Sequence, residues 1–305
     1  MKKYLPYVAG IIFSSIFGFS FMFTKETLVL MGPFHLLAFR FSFAAIFLSI
    51  IYIFGFIRIN YRGKKMGLLI LLAVIQPGLY FIFETFGISL TTSSEAGIII
   101  ALIPVVVSIL AALFLNERPG LKQSLFILLS VSGVLFIILQ KDAAESTSSL
   151  SGVVLLLGAV LMAGIYNILS RKLSLDFKPV EITFIMMWTG AVFFNLIAYV
   201  RHDGVFISYF SPLTNIKIII SIFYLGLLSS VLAFFLMNYT LSRIEAAQSA
   251  VFANLTTIVS ILAGVFIRGE NFYWYQLFGG IMIIIGVWGT NYFGKVKIKV
   301  EKLPS

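Results

Sequence analysis

The chain has no cysteine and only two histidines, His35 and His202, among its 305 residues. The missing thiols exclude disulfides, thiolate metal sites and thiol nucleophiles together, and two imidazoles are too few for a histidine-built metal centre. Charge is scarce too: 11% of residues are Asp, Glu, Lys or Arg, where soluble domains carry about 25%. No Walker lysine motif, glycine-rich phosphate loop, HExxH, GxSxG or deep aspartyl pair occurs, so the sequence implies no cofactor and gives no support for an enzyme.

What fills the chain is hydrocarbon. Apolar residues make up 60%, with 32 phenylalanines and 24 glycines. They fall into apolar stretches near the length needed to cross a hydrocarbon core of roughly 30 Å, about 20 residues at 1.5 Å each. The breaks predict ten helices at about 5–25, 34–56, 65–90, 94–115, 121–140, 150–171, 180–200, 215–241, 245–267 and 272–293. The first stretch is too long for a signal-peptide core and lacks a small-residue cleavage site, so it is read as a retained helix. The expectation is an all-α membrane protein with short loops.

The lysines and arginines orient it. With the N-terminus inside, sixteen of the 22 fall on the inner side: Lys2 and Lys3, then Arg58 to Lys65, Arg118 and Lys122, Arg171 to Lys178, Arg243, and the tail lysines 295 to 302. Five lie outside, and Arg40 sits within a helix. This bias predicts cytoplasmic termini in the cell membrane. It also makes the net charge of +10 a topology signal and a contact for anionic lipid rather than for nucleic acid.

The pentapeptide Val107-Ser108-Ile109-Leu110-Ala111 in the fourth stretch returns as Val259-Ser260-Ile261-Leu262-Ala263 in the ninth, an offset of 152. Polar residues from Lys141 to Ser149 separate two halves, divided here as 1–145 (helices 1–5) and 146–305 (helices 6–10 and a short basic tail). Five helices is an odd number, so the second half enters the membrane upside down. Inverted repeats are a device of secondary transporters, which expose a midplane site alternately to either side.

Phe17-Gly18-Phe19-Ser20-Phe21, Pro33 with Ala38-Phe39-Arg40-Phe41, Ser94-Glu95-Ala96, Ile103-Pro104-Val105 with Glu117, Gly152, Tyr166 with Arg171-Lys172-Leu173, and Gly269-Glu270 follow one another along the chain. In these residues the chain resembles the drug/metabolite transporter superfamily, and its EamA-like branch in particular. Two departures stand out: Phe17 where tryptophan is usual, and Thr256-Thr257 where a proline is expected. The resemblance implies two five-helix repeats, peripheral helices 5 and 10, and movement of small metabolites, without naming the metabolite.

Candidate site residues are those that grease does not explain. Gln76, Tyr80 and Glu84 recur every fourth residue and share one helix face. A carboxylate inside a membrane helix has a partner, water or a task. Glu84 is read either as binding a proton or a cationic group, or as half of a structural pair. Arg40 lies at similar depth and is either the fixed partner of Glu84 or a gate that releases it. Asn167, Asn238 and Asn254 are amides deep in apolar helices, able to bind substrate or to staple neighbours. Trp188 and Asn195 share a face, and Tyr166 and Tyr239 are candidate cavity walls or packing. Gly10, Ser14 and Gly18 form a small-residue stripe suited to close helix packing, and Pro77 and Pro104 are expected kinks.

Together these features predict a secondary transporter of a small metabolite (amino acid, amine or drug-like solute), working by alternating access, with export as the expected direction. Protons are a candidate coupling partner, and either a monomer or a homodimer fits. The competing reading is a lipid-phosphate flippase or a lipid-modifying intramembrane enzyme, in which Arg40 and the basic loops hold phosphate.

Overall fold

Residues 4–90, 99–140, 150–201, 209–268 and 273–294 are described in the computed structural model. They form ten apolar helices: α1 (Leu5–Leu28), α2 (Pro33–Ile53), α3 (Gly67–Leu90), α4 (Ile103–Phe114), α5 (Leu121–Leu139), α6 (Leu150–Leu173), α7 (Pro179–Arg201), α8 (Ile216–Arg243), α9 (Ala246–Ala250 and Ala253–Arg268) and α10 (Trp274–Phe293). Six of these, α1 to α3 and α6 to α8, are long and apolar enough to cross a bilayer by themselves, and α4, α5, α9 and α10 contain shorter apolar runs. Prolines sit in the first turn of α1, α2, α4 and α7, where the missing N–H has no intrahelical partner to lose. The expected division at 145/146 and the motif residues Ser94-Glu95-Ala96 and Gly269-Glu270 lie outside the described residues.

Helices read as continuous from hydropathy are irregular, and the irregularities are paired. In α3, Gln76 has extended backbone (φ −145, ψ 116) within a wide-turn stretch from Val74 to Leu79, and the Gln76–Pro77 peptide is cis. Proline supplies no N–H and disfavours helix in the residue before it, so the break falls where Pro77 puts it. Its repeat counterpart, α8, is wound as a π-helix from Tyr224 to Ala233. Shifted by the offset of 152, Pro77 falls on Ser229, inside that stretch. A turn at Ala101–Leu102 precedes α4, and another at Val251–Phe252 divides α9. Pro104 therefore opens a helix instead of kinking one.

The packing pattern carries the two-fold. α1 packs on α8 and α9, and its counterpart α6 packs on α3 and α4. α2 pairs with its own counterpart α7, and α5 with α10. Exchanging the halves turns this set of contacts into itself, as two inverted five-helix repeats require. The α5–α10 pair sits at the edge, touching the rest chiefly through α4 and α9.

Small residues set the separations. A Cβ on Gly10 would come within 2.7 Å of the Phe252 ring, and one on Gly18 within 2.6 Å of Val259. The Thr256 hydroxyl donates to the Ser14 carbonyl between them, at 3.3 Å. The α1 stripe is thus the seam with α9. Large side chains such as Ile11, Ile12, Val192 and Leu196 point outward, where lipid replaces protein as their neighbour.

Candidate functional site

Residues from these four irregular helices line one cavity of about 90 Å³, together with α1, α2 and α6. Gln76 comes from the α3 break, Ile100 and Ile103 from the start of α4, Ser229 from the α8 π-stretch, and Ser249 and Ala253 from either side of the α9 turn. Irregular backbone is tolerated at membrane depth where it is buried or lines a cavity, because its freed polar groups must be satisfied there. Discontinuous helices at a repeat interface are also how transporter sites are commonly built.

Two ionisable side chains face this space. Arg40 is 4% exposed and Glu84 9%, yet they form no ion pair; the ion pairs among the described residues are Lys64–Glu181 and Arg171–Glu117. Arg40 instead donates from Nε to Ser230 Oγ at 2.7 Å and from Nη2 to Ser229 Oγ at 2.8 Å. Its guanidinium lies 4.5 Å from the Phe81 ring centroid, within cation–π range. Gly226 makes that grip possible: a Cβ there would lie 3.1 Å from the Arg40 carbonyl, so α8 approaches α2 closely just before its serine pair. Glu84 accepts from Tyr80 Oη at 2.7 Å, a bond between successive turns of one helix.

Both groups retain unused capacity. A guanidinium has five N–H donors, and Arg40 spends two on the serines. Glu84 Oε2 has no hydrogen-bond partner among the described residues. Three further buried polar atoms on lining residues are also without a partner: Gln76 Oε1, Asn167 Oδ1 and Ser249 Oγ. Asn167 is fixed in orientation because its Nδ2 donates to the Ala163 carbonyl at 2.8 Å, which turns its oxygen away as an acceptor. Buried polar groups are normally paired, so several orphans around one cavity mark a place for a polar guest.

Of the residues singled out from sequence, Arg40, Gln76, Tyr80, Glu84 and Asn167 meet at this cavity. The others sit elsewhere. Asn238 is fully buried and staples α6 to α7 and α8: it accepts from Tyr166 Oη (2.8 Å) and Ser170 Oγ (2.6 Å) and donates to Thr183 Oγ1 (3.1 Å). Tyr166 is therefore committed to that staple. Asn254 donates to Ser130 Oγ on α5 at 2.9 Å. Trp188 is 41% exposed, and its indole N–H donates to Ser49 at 3.0 Å. Asn195 ties α7 to α2 through Ser42 and accepts from Tyr209. The serines that hold Arg40 were not singled out. Their one sequence signal is that Ser229 and Ser230 fall on the repeat positions of Pro77 and Gly78.

A polar cluster ties helix ends together near the basic loops. Asn116 is left-handed (φ 54), a conformation asparagine tolerates at a helix end, and it precedes Glu117 at the end of α4. Glu117 Oε1 accepts from Arg171 Nε at 3.0 Å, and its Oε2 from the Ala246 N–H that starts α9 at 2.9 Å. Arg171 also donates to the Leu241 carbonyl at 2.7 Å. Four helices, α4, α6, α8 and α9, are joined by this one pair. Beside it, Glu181 at the start of α7 pairs with Lys64 at 2.5 Å and accepts from the backbone N–H groups of Asn60 and Lys178. Burial, and then the Glu181 charge, push the hydroxyl of Tyr61 in the adjacent loop up from its ordinary value.

An inverted-repeat helical bundle with a polar cavity among three broken helices and one π-wound helix defines a membrane transporter. The comparisons agree, since residues 5–139 and 150–292 match the EamA-like transporter family, and the chain belongs to it. It is similar to a Bacillus subtilis (strain 168) protein named "Uncharacterized transporter YcxC", at 41% identity over 98% of this chain and 96% of that one. A Streptantibioticus cattleyicolor protein named "Probable terminal-alkyne amino-acid exporter" is 26% identical over 75% of this chain and 74% of its own. A solved crystal structure shares the fold with a TM-score of 0.74 at 16% identity, covering 96% of this chain and 99% of the other.

Proposed function

We propose that this multi-pass membrane protein is a secondary transporter for a small zwitterionic solute of the amino-acid type, which it exports across the cytoplasmic membrane by alternating access. The observation that carries the reading is that Arg40 and Glu84 share a cavity, are anchored separately, and each keep hydrogen-bonding capacity unspent. A carboxylate suits the free N–H groups of Arg40. A primary ammonium, with three donors, suits Glu84 Oε2 and the orphaned oxygens of Gln76 and Asn167.

Size points the same way. The cavity is small, about 90 Å³, well below the roughly 300–1,000 Å³ of sites for drug-sized ligands, which favours a compact solute. The amino-acid exporter among the relatives supports both the class and the direction. Motion would come from the two repeats exchanging conformations about the interrupted helices. The Glu117–Arg171 cluster would close the basic face, read as cytoplasmic along with both termini. The energy source is a solute or ion gradient, with Glu84 the candidate proton carrier. The repeat units are proposed to be residues 1–145 and 146–305.

The test is uptake and counterflow in vesicles containing the purified protein, using labelled alanine or serine, the amine lacking the carboxylate, and the acid lacking the amine. Exchange of the zwitterion with little of either analogue is the expected result. Equal movement of the amine alone would remove Arg40 from the reading. Movement of solute only when ATP is supplied would overturn secondary transport altogether.

A further inference from the structure

A second concavity lies on the outside of the bundle, between α2, α7 and α8, with a volume of about 640 Å³. Its walls are apolar: Phe47 and Ile51 from α2, Val180 from α7, and Leu228, Leu232 and Phe235 from α8. At its mouth stand two cations from different loops, Arg58 and Lys178. Both are exposed, and neither side chain has a hydrogen bond or ion pair among the described residues. They differ in this from Lys64, which is committed to Glu181.

The placement is amphipathic along the membrane normal. Arg58 follows the end of α2, and Lys178 immediately precedes α7, so both cations sit at the level of lipid headgroups on the basic face. From Phe235 to Leu227 the α8 wall runs inward by eight residues, about 12 Å at 1.5 Å rise each. An apolar slot that starts between two unpaired cations and runs towards the membrane interior has the shape and charge of a single-lipid site. Basic pockets between membrane helices on the cytoplasmic side characteristically take anionic headgroups.

We propose that this groove binds one anionic phospholipid, with its phosphate against Arg58 and Lys178 and an acyl chain along the α8 wall. Inorganic phosphate would use the two cations but leave the apolar slot unfilled, and a lipid with no net charge would leave the cations uncompensated. The site also has a route to the cavity. Leu227, Leu228, Val231 and Leu232 face the groove from the same π-helical stretch whose Ser229 and Ser230 hold Arg40 on its other side. A lipid packed there braces the back of that clamp.

Native mass spectrometry and thermal unfolding of the full-length protein in detergent, titrated with phosphatidylglycerol, phosphatidylcholine or inorganic phosphate, test the proposal. The wild type should retain one phosphatidylglycerol and be stabilised by it alone. Replacing both cations, Arg58→Gln with Lys178→Gln, should weaken that binding roughly tenfold or more, since each basic group near the surface contributes about one factor of five. Arg62→Gln, which removes a charge outside the groove, should leave binding unchanged. Leu228→Trp fills the slot without touching charge and should also displace the lipid, which guards against a charge variant that folds poorly. Equal retention of phosphatidylglycerol by the double variant, equal binding of phosphatidylcholine, or stabilisation by phosphate alone would each overturn the site. So would a dimer that buries the groove, or scrambling of labelled lipid by the protein in vesicles, which would make lipid the cargo.

Discussion

Arg40 and Glu84 face the same buried cavity but are held apart, Arg40 by the hydroxyls of Ser229 and Ser230 and Glu84 by the phenol of Tyr80. From sequence alone both a fixed pair and a gate were open, with the fixed pair ahead. The geometry excludes the fixed pair in this conformation, since no salt bridge joins them. Two buried charges left unpaired are costly, and under the proposed function a bound solute or a proton would offset that cost.

Glu84→Gln should therefore fold, because its side-chain carbonyl can still accept from Tyr80. It should lose accumulation driven by a pH gradient while retaining some exchange of substrate. Monodisperse elution, paired with gradient-driven and counterflow assays, separates the two. Normal accumulation by a well-folded variant would show that the carboxylate carries nothing. Adding Glu84→Gln to Arg40→Ala should not restore the expression that Arg40→Ala loses, since the anchors of Arg40 are serines and not Glu84.

Replacing both anchors, Ser229→Ala with Ser230→Ala, leaves the guanidinium in place but unheld. Hydrogen bonds to a charged group contribute about 1.5–3 kcal/mol each. We expect the transport KM to rise at least tenfold, with a smaller change in maximal rate. An unchanged KM in a folded variant would remove Arg40 from substrate binding.

Asn238 and Asn167 look alike in sequence and should behave oppositely. Asn238→Ala strands the hydroxyls of Tyr166 and Ser170, while Thr183 keeps its bond to the Pro179 carbonyl; at about 1–3 kcal/mol for a stranded buried group, Tm should fall by several degrees with little change in KM. Asn167→Ala removes an orphaned acceptor on the cavity and should raise KM more than it lowers Tm. Thermal unfolding and transport kinetics on the same preparations decide it, and the reverse pattern would exchange their roles.

Glu117→Gln loosens the clamp over four helices. Losing one partner of a buried pair costs about 3–5 kcal/mol, so Tm should drop sharply. Since the chain has no cysteine, a single Ala250→Cys beside the cavity can report access. In the Glu117→Gln background it should react faster with a membrane-impermeant thiol reagent from the basic face. Equal rates would mean that the cluster is a scaffold and not a closure.

Ten helices, their inverted arrangement and the basic face were legible in the sequence, because each follows from local quantities: the length of an apolar run, the count of lysines and arginines in a loop, the parity of the helix number. The face shared by Gln76, Tyr80 and Glu84 was legible for the same reason, being a matter of helical period within one element. What could not be read was which polar groups spend their hydrogen bonds on each other. Asn238 and Asn167 are both amides in greasy helices, and only the approach of Tyr166, Ser170 and Thr183 commits the first while leaving an oxygen of the second free. The π-winding of α8 and the break in α9 were equally hidden, with no proline to mark them. The tertiary structure decided these matters because a hydrogen bond in hydrocarbon depends on which partner arrives within about 3 Å, and that is set by how two repeats pack across glycine seams far apart in the chain.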